Sequence, residues 1–535
     1  MNRPNAPRCS EPAHSLLYAP DKLRPPADLP DVSALLREVE RSLVYPFNCQ
    51  QAKAFERSFT NRITLLWGPP GTGKTTVLAG IVLGWLERAE VDGVPVCIGI
   101  GSSNWKAIDN VLVEVAELVE RRREQVGPFA LQLCVARVRG DHSPVPEDPR
   151  IEDVERRAGR AAVLVQQLDS PGCSLVIGGT STQLSKLAKS HGSLAAPWFD
   201  LVLIDEASQV PVTTAALYFL LAQGDANIVL AGDPKQLGPI YGFPMQDTHA
   251  GLFDCIFTYM QQTHSITPVA LDQNYRTNEE ISAWPRKRFY PGGYEACNPQ
   301  RRLAVDFERV TEYQPEDWPI QLPWSPEFRR ILDPALPVTV VTYRGSAYTL
   351  SNPFEAQMVA ALSLLYWRAL REGGQKLNDD LFSNQYLGIV TPHRAQAATV
   401  RNLLNTALGI HVNPRLFVDT VDRFQGQERD LMLVSYAVAD VDFVGSEAEF
   451  ILDPRRFNVT LTRARSKFVM FVSEAILQYL PADSQVARDA AHLQLFVEDY
   501  CSTVDEELYL PFFEGSNTTM RSCRLRGQTF NTHGA

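Results

Sequence analysis

Apolar residues in this chain come in short blocks that end in glycine-rich or polar turns. "ITLLWG" from Ile63, "PVCIGIG", "SLVIGGT", "DLVLIDE" and "ANIVLAGD" are such blocks. A short apolar run bounded by turn residues predicts a strand buried on both faces, as in a parallel sheet. Between the blocks lies the 3.6-residue period of amphipathic helices. In "IDNVLVEVAELVERRR", Ile108, Val111, Leu112, Val115, Leu118 and Val119 share one helical face. In "IEDVERRAGRAAVLVQQL", Ile151, Val154, Ala158, Ala161, Val165 and Leu168 do the same. Two such helices between core strands predict a small helical hairpin inserted at about 107–170. A second strand–helix series starts near Pro337 with "PVTVVTYRG" and runs through "YLGIVTPHRAQ", "FVDTVDRFQGQERDLMLVSY" and "SKFVMFVSE". Strands alternating with helices in both halves predict an α/β fold.

Breaks in this pattern mark the expected domains. Residues 1–46 are proline-rich and read as an arm, with one helix candidate at "VSALLREVERSL". Residues 47–268 form a first lobe that includes the insertion. Residues 269–480 form a second, with an irregular proline- and tryptophan-rich stretch at 291–336. Residues 481–535 read as a C-terminal tail whose last dozen or so residues are expected to be disordered.

Composition narrows the classes. Lys plus Arg is 51 and Asp plus Glu is 62, a net charge of −11, which argues against a protein coated with positive charge to grip duplex DNA. A local basic groove remains compatible with it. The nine cysteines form no Cys-x-x-Cys pair, so neither a zinc module nor a disulfide framework is expected. No run of eighteen apolar residues predicts a membrane span, and "MNRPNAPRCSEPAHSLLYAP" has no apolar signal region. The expected location is cytoplasmic, or nuclear in a eukaryote.

Candidate chemistry begins at "LLWGPPGTGKTTVL". Gly68, Pro69, Pro70, Gly71, Thr72, Gly73, Lys74, Thr75 and Thr76 have the spacing of a phosphate-binding loop between a strand and a helix. Glycines let backbone N–H groups approach phosphates, and the helix adds its positive end. Lys74 supplies charge to the β- and γ-phosphates of ATP, and the Thr75 hydroxyl is a Mg²⁺ ligand. "DLVLIDEASQV" ends a neighbouring strand: Asp205 is expected to hold Mg²⁺ through water, and Glu206 to act on the attacking water. Gln51, in "FNCQQAKAF", carries an amide able to read an adenine edge. "LAGDPKQLGP" brings Gln236, and "LDQNYRTNEEI" brings Tyr275 and Arg276. "VDTVDRFQGQERD" and "RRFNVTLTRARSKF" complete the second lobe. Arginines on a distant lobe make sense if that lobe closes on the nucleotide, where their fixed charge stabilises the γ-phosphate in transit.

This ordered set, from about Asn48 to Glu474, resembles the superfamily 1B helicases of the nonsense-mediated-decay and immunoglobulin-mu-binding (DNA2/NAM7-like) type. The resemblance implies two RecA-like P-loop lobes, ATP between them, a single strand of DNA or RNA across their top, and 5′ to 3′ travel. It further implies that Gln51 reads adenine and Tyr275 stacks on it, and that Gln236, Arg276 and Arg463 reach the γ-phosphate. Gly426 and Glu428 lie near the nucleotide sugar in such proteins. Ser103, Asn104, Thr180, Thr391, Pro392, Arg394 and Thr420 match the strand-binding motifs, although "SSN" before a helix is also what an N-cap looks like. The well-studied members carry a β-barrel before the adenine motif, for which 46 residues are too few, and a cysteine–histidine-rich domain that has no counterpart here. A partner protein supplying regulation or strand separation is therefore expected, with weak unwinding by the isolated chain. Trp105 and Lys106 stand where relatives have small residues; Trp105 either stacks on a base or packs against the helical hairpin. The alternative to a translocase or helicase is an ATP-dependent clamp or switch subunit without intrinsic unwinding.

Overall fold

The computed structural model describes residues 12–23, 30–140, 143–155, 159–169, 172–239 except 191–196, 254–310, 321–345, 347–375, 377, 381–407, 418–424 and 426–530. The chain divides into two compact units, Met1–Asp272 and Gln273–Ala535.

In the first unit, β1 (Ile63–Trp67), β2 (Cys97–Gly101), β3 (Leu133–Arg139), β4 (Glu152–Glu155), β5 (Ser174–Gly178), β6 (Phe199–Ile204), β7 (Ala222–Gly232) and β8 (Val269–Ala270) form one sheet. Its order is β4-β3-β5-β2-β6-β7-β1-β8, and every pairing is parallel. The apolar blocks explain why. Leu201 and Leu203 join one core cluster while Val202 and Ile204 join the other, so β6 is buried on both faces by the two-residue alternation of a strand. The helix Trp105–Val126 follows its predicted face: Ile108, Val111, Leu112, Val115 and Leu118 are all buried.

The insertion differs from the expectation of a helical hairpin. Between the helices Trp105–Val126 and Gly159–Asp169 run β3 and β4, which extend the sheet at its edge. Ile151 and Val154 are buried, but Val154 is buried as part of a strand. Two apolar residues three apart fit either period, and pairing of Glu152–Glu155 with Ala136–Arg139 decided it. Ala158 lies outside the described residues. The proline-rich start is also more than an arm. Its helices Pro12–Tyr18 and Val32–Ser42 place Leu16, Leu17, Leu35 and Val39 in the first unit's cores.

In the second unit, β9 (Gln273–Asn274) pairs with β10 (Glu295–Ala296). The main sheet holds β11 (Val338–Tyr343), β12 (Leu387–Thr391), β13 (Val418–Thr420), β14 (Arg429–Ser435), β15 (Ala464–Ser473), β16 (Val504–Glu514) and β17 (Asn517–Gln528), in the order β13-β12-β14-β15-β11-β17-β16. The first five pair in parallel, whereas β17 runs antiparallel to β11 and β16 antiparallel to β17. The stretch from 481 read as a tail is therefore part of this unit. The helix Ser484–Leu495 precedes the hairpin, and Leu508, Leu510, Phe512, Cys523 and Leu525 are buried in the unit's core. The irregular stretch contributes Leu303, Phe307, Leu322 and Phe328 to the same core, and residues 311–320 lie outside the described ones.

Candidate nucleotide and strand-binding sites

Parallel strands bring all their C-terminal ends to one edge, where open α/β sheets bind ligands. On that edge of the first unit stand the phosphate loop after β1, Ser102–Asn104 after β2, Thr180 beyond β5, Asp205 and Glu206 after β6, and Asp233–Gln236 after β7. β7 lies between β1 and β6, so the Asp205 strand is one removed from the phosphate-loop strand rather than adjacent to it.

The phosphate loop is held from several sides. The Gly68 N–H donates to the Gly232 carbonyl at 3.1 Å. A Cβ on Gly68 would overlap the Lys74 side chain, and Gly71 and Gly73 have φ of 75° and 82°, the left-handed region that favours glycine. Lys74 opens the helix Lys74–Asp92 and its Nζ donates to the Gly68 carbonyl at 2.6 Å, folded back over the loop it belongs to. Thr72 is buried with its hydroxyl on the Pro69 carbonyl at 2.8 Å. Pro69 and Pro70 are buried, and Thr75 and Thr76 lie half-buried in the first helical turn.

Gln51 reaches this loop. It sits at the third position of the helix Cys49–Thr60, in a reciprocal capping box with Asn48, and its Nε2 donates to the Thr72 carbonyl at 3.2 Å. Its Oε1 accepts from the Asn48 N–H at 3.1 Å. An amide has two N–H groups and two lone pairs, so these bonds commit one of each.

Asp205 is buried, with its backbone N–H on the Gly101 carbonyl at 2.9 Å and its Oδ1 accepting the Glu206 N–H at 2.8 Å. Burial first, and then the charge of Glu206, push its carboxyl up to about 7 against the pull of Lys74. Glu206 itself has φ 50° and ψ 39° without being glycine or asparagine. A non-glycine residue held there costs of order 1–3 kcal/mol and clusters at functional sites. A buried carboxylate with a threonine hydroxyl on the same sheet edge is a set of hard oxygen donors, which fits Mg²⁺.

Asp233, fully buried, is a residue the sequence reading passed over. It accepts from Trp67 Nε1 at 3.0 Å, from the Lys235 N–H at 3.0 Å and from Gln236 Nε2 at 2.8 Å. One carboxylate thus ties the residue before Gly68 to Gln236. Its signal was its place at a strand end three residues before the glutamine already singled out.

Three of the expected strand contacts also make local hydrogen bonds to neighbouring backbone. Asn104 caps the helix that starts at Trp105, accepting the Lys106 N–H at 2.9 Å, yet Ser103 and Asn104 both remain exposed. Thr180 accepts the Gln183 N–H at 3.4 Å while Gln183 Oε1 accepts the Thr180 N–H at 3.1 Å. Thr391 is fully buried; its hydroxyl accepts the His393 N–H at 3.1 Å and donates to the His393 carbonyl at 2.8 Å. Pro392 is half-buried and Arg394 exposed. Thr391 and Pro392 line a small pocket with Val421, Tyr436, Phe450 and Arg456.

In the second unit the expected residues divide between the two edges of the sheet. Thr391 and Thr420 are register partners at the C-terminal ends of β12 and β13. Glu428, Arg463 and Arg465 stand at the opposite edge, where Arg429 of β14 pairs with Ala464 of β15. The seven residues of β14 put roughly 20 Å between the two edges. Glu428 is bound by Arg276 Nε through one oxygen, and through the other by Arg465 Nε at 2.9 Å. Burial opposes its ionisation, but the charges and hydrogen bonds of Arg276 and Arg465 override burial and hold its carboxyl down at about 2. Arg276 Nη1 also donates to the Thr462 carbonyl at 3.2 Å, and Arg301 Nη1 to the Arg276 carbonyl at 2.6 Å. Arg463 is buried, with Nε on the Val459 carbonyl at 3.2 Å and Nη1 on the Gln427 carbonyl at 3.4 Å. Gly426 has φ 82°, and Tyr275 is 40% exposed. Arg465, the second residue of β15, is not among the residues that the motifs single out, although it stands two places after Arg463 in "TRARSKF".

A phosphate loop on an open parallel sheet, with strand-end carboxylates two strands away and a second α/β sheet behind it in the chain, defines a P-loop protein of two RecA-like lobes. Two family models, each described as an AAA domain, match residues 51–244 and 252–475. The chain is 26% identical over 455 residues to the DNA replication ATP-dependent helicase/nuclease DNA2 of Xenopus laevis, covering 81% of this chain and 38% of that protein. It is 27% identical over 460 residues to the regulator of nonsense transcripts 1 homolog of Neurospora crassa (80% and 37%), and 25% identical over 451 residues to the ATP-dependent helicase NAM7 of Saccharomyces cerevisiae (79% and 41%). It spans about two-fifths of the length of these relatives. The chain belongs to the superfamily 1 helicases of the DNA2/NAM7-like type.

Proposed function

We propose that the chain is an ATP-driven translocase or helicase that steps 5′ to 3′ along single-stranded DNA or RNA. The observation that carries this reading is the C-terminal edge of the first unit's sheet. Phosphate-binding, acid–base and exposed polar loops all emerge there from consecutive strands β5, β2, β6, β7 and β1.

In this reading the loop's N–H groups and Lys74 grip the phosphates, and Gln51 faces the adenine. Thr75 and Asp205 would hold Mg²⁺, which when bound neutralises charge on the β- and γ-phosphates. Glu206 accepts a proton from the attacking water, and its left-handed backbone fixes where that carboxylate stands. Gln236, braced by Asp233, senses the γ-phosphate. Arg276 and Arg463 stabilise the charge of the transferring phosphoryl group, and Tyr275 stacks on the base. Ser103, Asn104, Thr180, Thr391, Pro392, Arg394 and Thr420 are the proposed strand contacts, acting chiefly on the backbone and hence without sequence preference.

The deciding experiment is ATP turnover by the purified chain with single-stranded DNA, single-stranded RNA and neither. Stimulation by at least one strand is expected. A rate unchanged by either would overturn the translocase reading while leaving the ATP site intact.

A further inference from the structure

Trp105 stands directly after the exposed Ser103–Asn104 turn, on the ligand-binding edge of the first unit's sheet, and is 42% exposed. An exposed tryptophan alone means little. What lies against this one is unusual. The guanidinium of Arg137, on β3, sits 5.4 Å from the centre of the Trp105 ring. Arg137 is only 1% exposed, a burial that arginine reaches only when tightly paired. Its Nε lies 2.8 Å from an Asp109 oxygen and its Nη1 donates to the Pro144 carbonyl at 2.6 Å. Asp109 is four residues after Trp105 on the same helix, hence on the same face. Ring, guanidinium and carboxylate therefore form one braced unit joining the start of that helix to β3. Of the two alternatives for Trp105, packing on a helical hairpin does not describe this contact, because the neighbour is an arginine of a strand.

We propose that Trp105 is a base-stacking platform of the first unit: one nucleobase of a bound single strand stacks on the exposed indole, which Arg137 holds from the protein side. The inference rests on the reading of the chain as a single-strand translocase. It adds a contact to the base, where the residues proposed above act on the backbone. A base is favoured over an apolar peptide segment because the platform is a single ring whose chain neighbours Ser103, Asn104 and Lys106 are polar. Stacking on an aromatic face is tolerant of base identity, as stepping along any strand requires.

The test compares two labelled oligonucleotides of equal length, one of thymidines and one of abasic sugar–phosphate units, by fluorescence anisotropy at fixed salt. Full-length wild type, Trp105→Phe and Trp105→Ala are measured with both. Wild type should prefer the thymidine strand. Trp105→Ala should lose about tenfold on the thymidine strand and little on the abasic one, and Trp105→Phe should recover most of the loss. Trp105→Phe keeps a ring over Arg137 and so controls for stability, and the affinity of Trp105→Ala for the abasic strand reports whether that variant is folded. The indole emission missing from Trp105→Phe should be the part that the thymidine strand quenches in wild type. Equal losses on both strands, or none, would overturn the platform while leaving strand binding standing. Binding of neither strand by wild type would overturn the translocase reading and the platform together.

Discussion

Lys74 and Glu206 occupy the same sheet edge for opposite reasons. The Lys74 ammonium rests on the Gly68 carbonyl, a placeholder contact that a phosphate would replace with a stronger, charge-assisted one. Lys74→Ala should therefore weaken ATP binding about tenfold or more, measured by titration with a fluorescent ATP analogue. Glu206→Gln preserves shape and one acceptor oxygen but cannot take a proton. It should bind ATP like wild type and turn it over about 10²- to 10⁴-fold more slowly. Wild-type turnover in Glu206→Gln would remove the role given to that carboxylate. Glu428 makes a separate prediction about pH. Its carboxyl titrates near 2 in the folded protein against an ordinary value of 4.5, so the folded state is favoured wherever the unfolded carboxyl is ionised. That contribution is complete above about pH 5 and is lost as pH falls through 4.5 towards 2. Denaturation midpoints of wild type and Glu428→Gln should differ by a constant amount from pH 6 to 8 and converge as the solution is acidified. A gap that widens on acidification would contradict the arginine pairing. Of these residues, the sequence motifs named Lys74, Glu206 and Glu428 directly. They could not show that Gln51 and Thr391 spend hydrogen bonds on neighbouring backbone, because capping and ligand contact call for the same side chains.

Secondary elements were legible where their pattern was strong and misread where two periods agreed. Strand segments buried on both faces, such as residues 201–204 of β6, announce themselves as unbroken apolar runs, since both faces meet core. β4 is four residues, "EDVE", with three acidic positions and one buried valine, so nothing local distinguishes it from a helix turn. The hairpin β16–β17 was hidden for a related reason. Its second strand, "NTTMRSCRLRGQ", is mostly polar, and its buried residues are Cys523, Leu525 and Gly527. Its place comes from long-range pairing with β11, from Val338↔Gln528 to Tyr343↔Cys523, which no local signal carries. Arg521 of the same strand lies 4.5 Å from the Phe354 ring centre and 4.6 Å from that of Phe512, further fastening it. Removal of residues 503–535 should therefore unfold the second unit. Fully buried Leu or Phe side chains contribute about 1.5–3 kcal/mol each, and Leu508, Leu510, Phe512 and Leu525 together rival the roughly 5–15 kcal/mol that holds a domain folded. The truncated chain should be insoluble, or soluble with one thermal transition fewer than wild type. A truncated protein with unchanged melting behaviour would mean that the hairpin is an appendage after all.

At the scale of the molecule, the proposed motor is divided between two units. The first carries the phosphate loop and Glu206, the proposed base; the second carries Arg276 and Arg463. Within the second unit, the arginine end of β14 and the Thr391–Thr420 end are opposite edges of one buried sheet, so a shift of one edge carries the other with it. That arrangement suits an element that links phosphate chemistry to grip on a strand. It predicts a particular split of kinetic effects. Arg463→Ala and Arg276→Ala should each lower kcat by about 10³-fold, the scale of a transition-state arginine, with KM for ATP changed only a few-fold. Strand affinity in the absence of nucleotide should stay at the wild-type level, because neither arginine stands at the proposed strand-binding edge. It should weaken steeply with salt in all three proteins, as binding by phosphate contacts does. A purely structural arginine behaves differently: its removal lowers the melting temperature and the active fraction, while turnover per folded molecule is unchanged. Active-site titration together with a melting curve on each variant separates the two cases. Undiminished kcat per active molecule in both variants would remove the second unit from the chemistry and leave the first as a self-sufficient ATPase.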